Sequence, residues 1–104
     1  MPGRRFPFGL PFRRIIQGMT YLISWKTKNH AASVAKFAKQ GLALPEGIKL
    51  LSSWHVVGEG RGFVTVESAD PKAVHKLSAS WAEVLDCSVS HVISDTDAKL
   101  ALGN

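Results

Sequence analysis

Apolar and polar positions along this chain switch between two periods. Residues 20–28 (TYLISWKTK) are rich in β-branched and aromatic side chains and predict a strand. Asn29 can cap a helix over residues 30–40, in which Ala31, Val34, Ala35 and Ala38 recur at i, i+3, i+4 and i+7. Gly41 is its expected stop. After the Pro45-Glu46-Gly47 turn, residues 48–57 predict a second strand. The glycine-dense Gly58-Glu59-Gly60-Arg61-Gly62 predicts a hairpin into a third, residues 63–68. Asp70-Pro71 joins an N-cap acid to a first-turn proline, and Val74, Leu77, Trp81 and Val84 or Leu85 form the apolar stripe of the helix that follows. Residues 87–94 predict a fourth strand, and Asp95 and Asp97 open a short terminal helix.

The order β-α-β-β-α-β is the split βαβ, ferredoxin-like arrangement, an α+β fold. Two right-handed crossovers place both helices on one face of a four-stranded antiparallel sheet and leave the other open. On the third strand, Val64 and Val66 suit the helix side, which leaves Phe63 on the open face. Tyr21, Ile23 and Trp25 share a face of the first strand. An open face carrying such residues is a large apolar patch, and the expectation is a homodimer that covers it.

Composition narrows the setting. The 104 residues suit one domain, and 45% hydrophobic with 20% charged residues excludes a disordered or coiled-coil chain. No apolar run reaches the roughly 18–20 residues of a membrane span. The lone Cys87 cannot form an internal disulfide, so a reducing, cytoplasmic setting is expected. The net charge of +5 is uneven. Arg4, Arg5, Arg13 and Arg14 lie in residues 1–18, where there is no acid, which leaves nine basic and eight acidic residues from Met19 onward. The expected organisation is therefore a basic Pro/Phe/Arg-rich extension, residues 1–18, and a nearly neutral domain, residues 19–104. The extension lacks the uninterrupted apolar stretch of a secretory signal and the serine content of a transit peptide. It reads as an upstream extension, as an arm that touches partners or anionic surfaces, or as a targeting segment.

Two families solve the open-face problem differently. Arg61-Gly62-Phe63 matches the opening of the third-strand signature of the RNA-recognition motif, but Thr65 and Ser68 stand where its next aromatics belong. Stacking is worth roughly 1–3 kcal/mol per base, so losing two rings of three removes most of the reason to bind, and nucleic acid is not an expected partner. A second resemblance covers nearly all of residues 19–102. The Pro45–Leu51 turn and strand, Trp54-His55, Gly60-Arg61-Gly62-Phe63, and Trp81 followed by Leu85 resemble the uncharacterised bacterial family called domain of unknown function 3303. That family is similar in build to dimeric α/β-barrel proteins, in which two ferredoxin-like sheets face each other. The resemblance implies a homodimer with a cavity between sheet and helices or between sheets, and it implies no reaction. The family usually carries a basic residue where Ser53 stands here, so no anion-binding role transfers to that position.

The candidate chemistry is sparse. His55 and Trp54 are neighbours on one strand and point to opposite faces, in an order the sequence leaves open. An imidazole facing a cavity is a candidate general base or ligand donor, which makes His55 the catalytic candidate; packed among strands, it is a hydrogen-bonded structural residue. Arg61 can hold a carboxylate or phosphate, or stand solvated on its hairpin. Trp25, Trp54 and Trp81 can line an aromatic pocket or serve as packing, and Phe63 completes the ligand-binding candidates on the open face. Cys87 and His91 share a strand face roughly 13 Å apart, and His55 lies on the opposite edge strand from His91, so no metal site is expected. His30 and His75 belong to helices and are expected at the surface. No catalytic triad, phosphate loop or cofactor motif is present, and no cofactor is expected. The readings in order are a homodimer binding a small, partly apolar molecule; an enzyme resembling cofactor-independent monooxygenases or isomerases, by analogy of fold; and a nucleic-acid binder acting through its leader.

Overall fold

The computed structural model describes residues 18–103, so the expectations for the basic extension lie outside the described residues except at Gly18. The chain runs β1 (Met19–Thr27), α1 (His30–Gln40), β2 (Lys49–Val56), β3 (Arg61–Ser68), α2 (Pro71–Ser80), β4 (Leu85–Val92) and α3 (Asp95–Ala101). The sheet order is β2-β3-β1-β4 with every neighbouring pair antiparallel, the ferredoxin-like α+β topology. Asn29 caps α1 by accepting from the Ala32 N–H at 3.0 Å, and Asp70 caps α2 by accepting from the Lys72 N–H at 2.9 Å. The third cap is Ser94, which accepts from the Asp97 N–H, while Asp95 and Asp97 occupy the first turn of α3. β3 starts two residues earlier than expected, because Arg61 and Gly62 already pair with Val56 and His55. α2 ends at Ser80, and the turn after it delivers Leu85 into β4, so neither Val84 nor Leu85 extends the helical stripe.

The core lies between α2 and the middle of the sheet. Tyr21 and Ile23 of β1 face Val66 and Val64 of β3, and all four are buried with Val74, Leu77 and Trp81. This corrects the expectation for the first strand: Tyr21, Ile23 and Trp25 belong to the helix side because register places them opposite Val66, Val64 and Gly62. The open face carries Leu22, Ser24, Ser52, Trp54, Phe63 and Thr65. Its apolar patch is consequently smaller than expected and centres on Trp54 and Phe63, which are 58% and 39% exposed and stand directly opposite each other on β2 and β3.

The first helix also departs from its expected orientation. The residues it turns toward the sheet are His30, Ser33, Val34 and Phe37, spaced i, i+3, i+4 and i+7; of these only Ser33 is buried, and His30 is exposed as expected, while Ala31, Ala35 and Ala38 lie off the cavity. Side-chain volume explains the rotation. Counting apolar positions gives alanine the same weight as phenylalanine, but Phe37 offers several times the area to cover. No helix among the described residues is long and apolar enough to cross a membrane.

A cavity between the first helix and the sheet

A β-bulge decides which side of β2 faces the helices. Leu50 pairs with Val66 on the helix side and Ser52 pairs with Thr65 on the open side, leaving Leu51 as the extra residue. Beyond it, Ser53 faces Val64 and His55 faces Gly62, both on the helix side. Without the bulge, strict alternation from Leu50 would turn Trp54 inward and His55 outward. The inserted residue reverses that parity and settles the alternative that alternation alone leaves open.

His55 therefore lines a cavity of about 400 Å³ between α1, α2 and the sheet. Its imidazole meets the Trp25 ring edge-on at 5.2 Å between centroids and the Phe37 ring at 5.7 Å, with interplanar angles of 73° and 66°. Trp25 reaches this position because Gly62 lies beneath it: a Cβ on Gly62 would stand 2.5 Å from Trp25 Cζ2. Cys87, Trp25, Gly62 and His55 thus form one row across all four strands. Three strand spacings put Cys87 and His55 roughly 14 Å apart at the backbone, at opposite margins of the same cavity.

α1 is secured at its ends and by one lysine rather than by close face-to-face packing. At the start, the Thr27 N–H donates to the Gly60 carbonyl and the Lys28 N–H to the Val84 carbonyl, both at 2.9 Å. At the far end, Trp81 Nε1 donates to the Leu42 carbonyl at 3.3 Å. Between them Lys36 Nζ donates to the Ser80 carbonyl and lies 4.8 Å from the Trp81 ring centroid. Val34 and Phe37 line the cavity and remain 52% and 44% exposed, so the helix stands off the sheet.

Of the six binding candidates, Trp25, His55 and Trp81 line this cavity, Arg61 borders it at the hairpin, and Trp54 and Phe63 lie on the opposite sheet face. Arg61 is committed at the exposed hairpin, where its Nε donates to Glu59 Oε1 at 2.8 Å. His75 is exposed on α2, and His91 packs beside Tyr21 at 5.4 Å between ring centroids. Sequence reasoning missed Phe37 and gave His30 no role at the site; their i, i+7 spacing on α1 was the available signal. Burial raises the Cys87 thiol pKa, with neighbouring Asp86 adding to the shift and Lys28 opposing it. Among the described residues, no three His, Cys, Asp or Glu side chains gather as a metal site.

The family model described as "Domain of unknown function (DUF3303)" matches residues 19–104. Comparison with curated proteins gives no match. Among solved structures, the chain is similar to SnoaB, a cofactor-independent oxygenase from Streptomyces nogalater, with a TM-score of 0.46 and 9% identity over 75% of this chain and 93% of that one. A likeness of that size carries no argument about chemistry.

Proposed function

Because the chain belongs to the DUF3303 family, whose description assigns no function, we propose from its own geometry that it binds a small, partly apolar molecule between α1, α2 and the sheet. One observation carries this reading: an aromatic-lined cavity of about 400 Å³ within a domain of this size. Small-molecule sites are clefts, mostly apolar, that begin at about 300 Å³. The functional unit of this reading is residues 19–104, with residues 1–18 as an extension. Titration of the ¹⁵N-labelled chain with 2-naphthylmethanol tests it. The expected shifts map to Ile23, Phe37, Val64 and Leu77; no shift there, or shifts confined to the open face, overturns it.

The functional form in this proposal is a homodimer joined through the open face. A second copy brings the Trp54–Phe63 pair against its own equivalent across a two-fold axis, with Leu51 at the bulge beside it. Light scattering after gel filtration should give twice the chain mass, and Trp54→Asp should return it to a monomer. A clean parental monomer at micromolar concentration overturns the dimer.

A proton-transferring enzyme that needs no cofactor is the second reading. Its specific support is His55, which faces the cavity with no hydrogen-bond partner for its ring nitrogens among the described residues. If the occupant is a substrate, His55→Gln abolishes its turnover but not its binding.

A further inference from the structure

The cavity is polar along one margin and apolar along the other. His30, at the start of α1, places Nδ1 3.6 Å from where a Cβ on Gly60 would stand, so it lies against the β2–β3 hairpin. His55 stands opposite Gly62, two residues beyond Gly60 in sequence. Both histidines thus border the hairpin end of the cavity, where both are open to solvent. Away from it the lining is Leu42, Leu44, Leu77, Trp81 and Leu85.

No aspartate or glutamate lines the cavity among the described residues; its ionisable lining residues are His30, His55, Cys87 and Arg61, the last paired with Lys26 in the register and so directed to the open face. The Arg61 guanidinium is engaged with Glu59, and burial holds the Cys87 thiol in its protonated form. The one carboxylate at this end, Glu59, is already paired with Arg61, so a cationic ligand would find no free counter-charge among the lining residues. An acidic oxygen would meet imidazole N–H donors, and hydrogen bonds to a charged acceptor are the strong ones.

Size completes the specification. An apolar cavity near 150 Å³ takes one benzene, so about 400 Å³ takes roughly two fused rings with a substituent. The rings of Trp25, Phe37 and Trp81 supply the faces and edges for an aromatic body to pack against. Resting on the cavity reading above, we infer that the occupant is an aromatic organic acid, its rings in the Trp25–Phe37–Trp81 region and its carboxylate or equally acidic oxygen at the His30–His55 margin.

Three probes of one shape test this by isothermal titration calorimetry on the full chain: 2-naphthoate, 2-naphthylmethanol and 2-naphthylmethylamine. The acid should bind at least tenfold more tightly than the alcohol, and the amine more weakly than both. Equal affinity of acid and alcohol, or preference for the amine, overturns the inference while the cavity reading stands. Binding of none of the three overturns the cavity reading and the inference with it. His30→Asn and His55→Gln, each alone, should lower the acid-to-alcohol ratio, and together they should bring it near unity. Lys26→Gln removes a positive charge from the open face and should leave the ratio as it was. A ratio that persists in the double histidine variant, or that collapses in the Lys26 variant, overturns the assignment of the acid to this margin.

Discussion

Replacing Gly62 with alanine puts a methyl group into space that Trp25 and the β2 backbone already fill. The new Cβ would press against the Trp54 carbonyl oxygen and lie 2.5 Å and 2.9 Å from Cζ2 and Cε2 of the Trp25 indole. Overpacking a well-filled site costs about 1–3 kcal/mol. The upper figure applies here because one obstacle is a backbone oxygen in the ladder, which cannot rotate away, and the other is a ring braced by His55 at 5.2 Å. Each kcal/mol moves the midpoint of a domain this size by about 4–8 °C, so a loss near 3 kcal/mol lowers Tm by roughly 12–24 °C. Urea unfolding followed by far-UV circular dichroism should show the midpoint falling at unchanged m. Adding Trp25→Leu to the Gly62→Ala chain should recover the part of the loss due to the ring, a coupling of about 1 kcal/mol, and leave the part due to the carbonyl. A Gly62→Ala chain within about 0.5 kcal/mol of the parent, the ordinary range for inconsequential substitutions, would refute the packing account of this row.

Three further outcomes follow from single contacts. Asp70→Ala removes the cap on the Lys72 N–H and should cost about 1 kcal/mol in urea unfolding; an unchanged midpoint refutes the cap's contribution. Ser68→Ala removes a buried hydroxyl that donates to the Gly47 carbonyl at 2.8 Å and accepts from the Asp70 N–H at 3.0 Å; a loss of about 0.5–1.5 kcal/mol is expected, and a loss within error refutes it. Burial raises the folded-state pKa of the Cys87 thiol above its unfolded value, so its contribution to stability is complete below the unfolded pKa and fades as pH rises through the folded one. Between neutral pH and the alkaline thiol range, the parent should therefore lose stability more steeply than Cys87→Ser, and parallel pH profiles would contradict the burial.

What the sequence revealed depended on whether the information was local. The hairpin around Gly60, where φ is +61°, and the caps at Asn29 and Asp70 are short-range chemistry and stand where expected. That Tyr21, Ile23 and Trp25 share a face was likewise legible, since alternation fixes it. Which face they share was not, because that depends on pairing with Val64 and Val66, some forty residues away in sequence. His55 was the hardest case. Its inward direction depends on a single extra residue at Leu51 in a run, Leu50-Leu51-Ser52-Ser53, whose composition gives no sign of a bulge. His30 and Phe37 became site residues only through the rotation of α1, which a ring's bulk decided against three alanines.

The standing-off of α1 is itself an argument for an occupant. The space between α1 and the sheet opens to solvent past Val34 and Phe37, so water fills it whenever no ligand does. Water against Val34 and Phe37 forgoes the hydrophobic gain that closure of the helix would bring, about 1.5–3 kcal/mol for a phenylalanine taken from exposed to buried. The edge-on contacts of His55 with Trp25 and Phe37 occupy the space into which α1 would close, and the Trp81–Leu42 hydrogen bond ties the segment after the helix at its present height. The free energy that closure would have released remains available to whatever displaces that water. The apolar walls thus supply affinity for any body of the right size, and discrimination among such bodies falls to the two imidazoles at the hairpin margin.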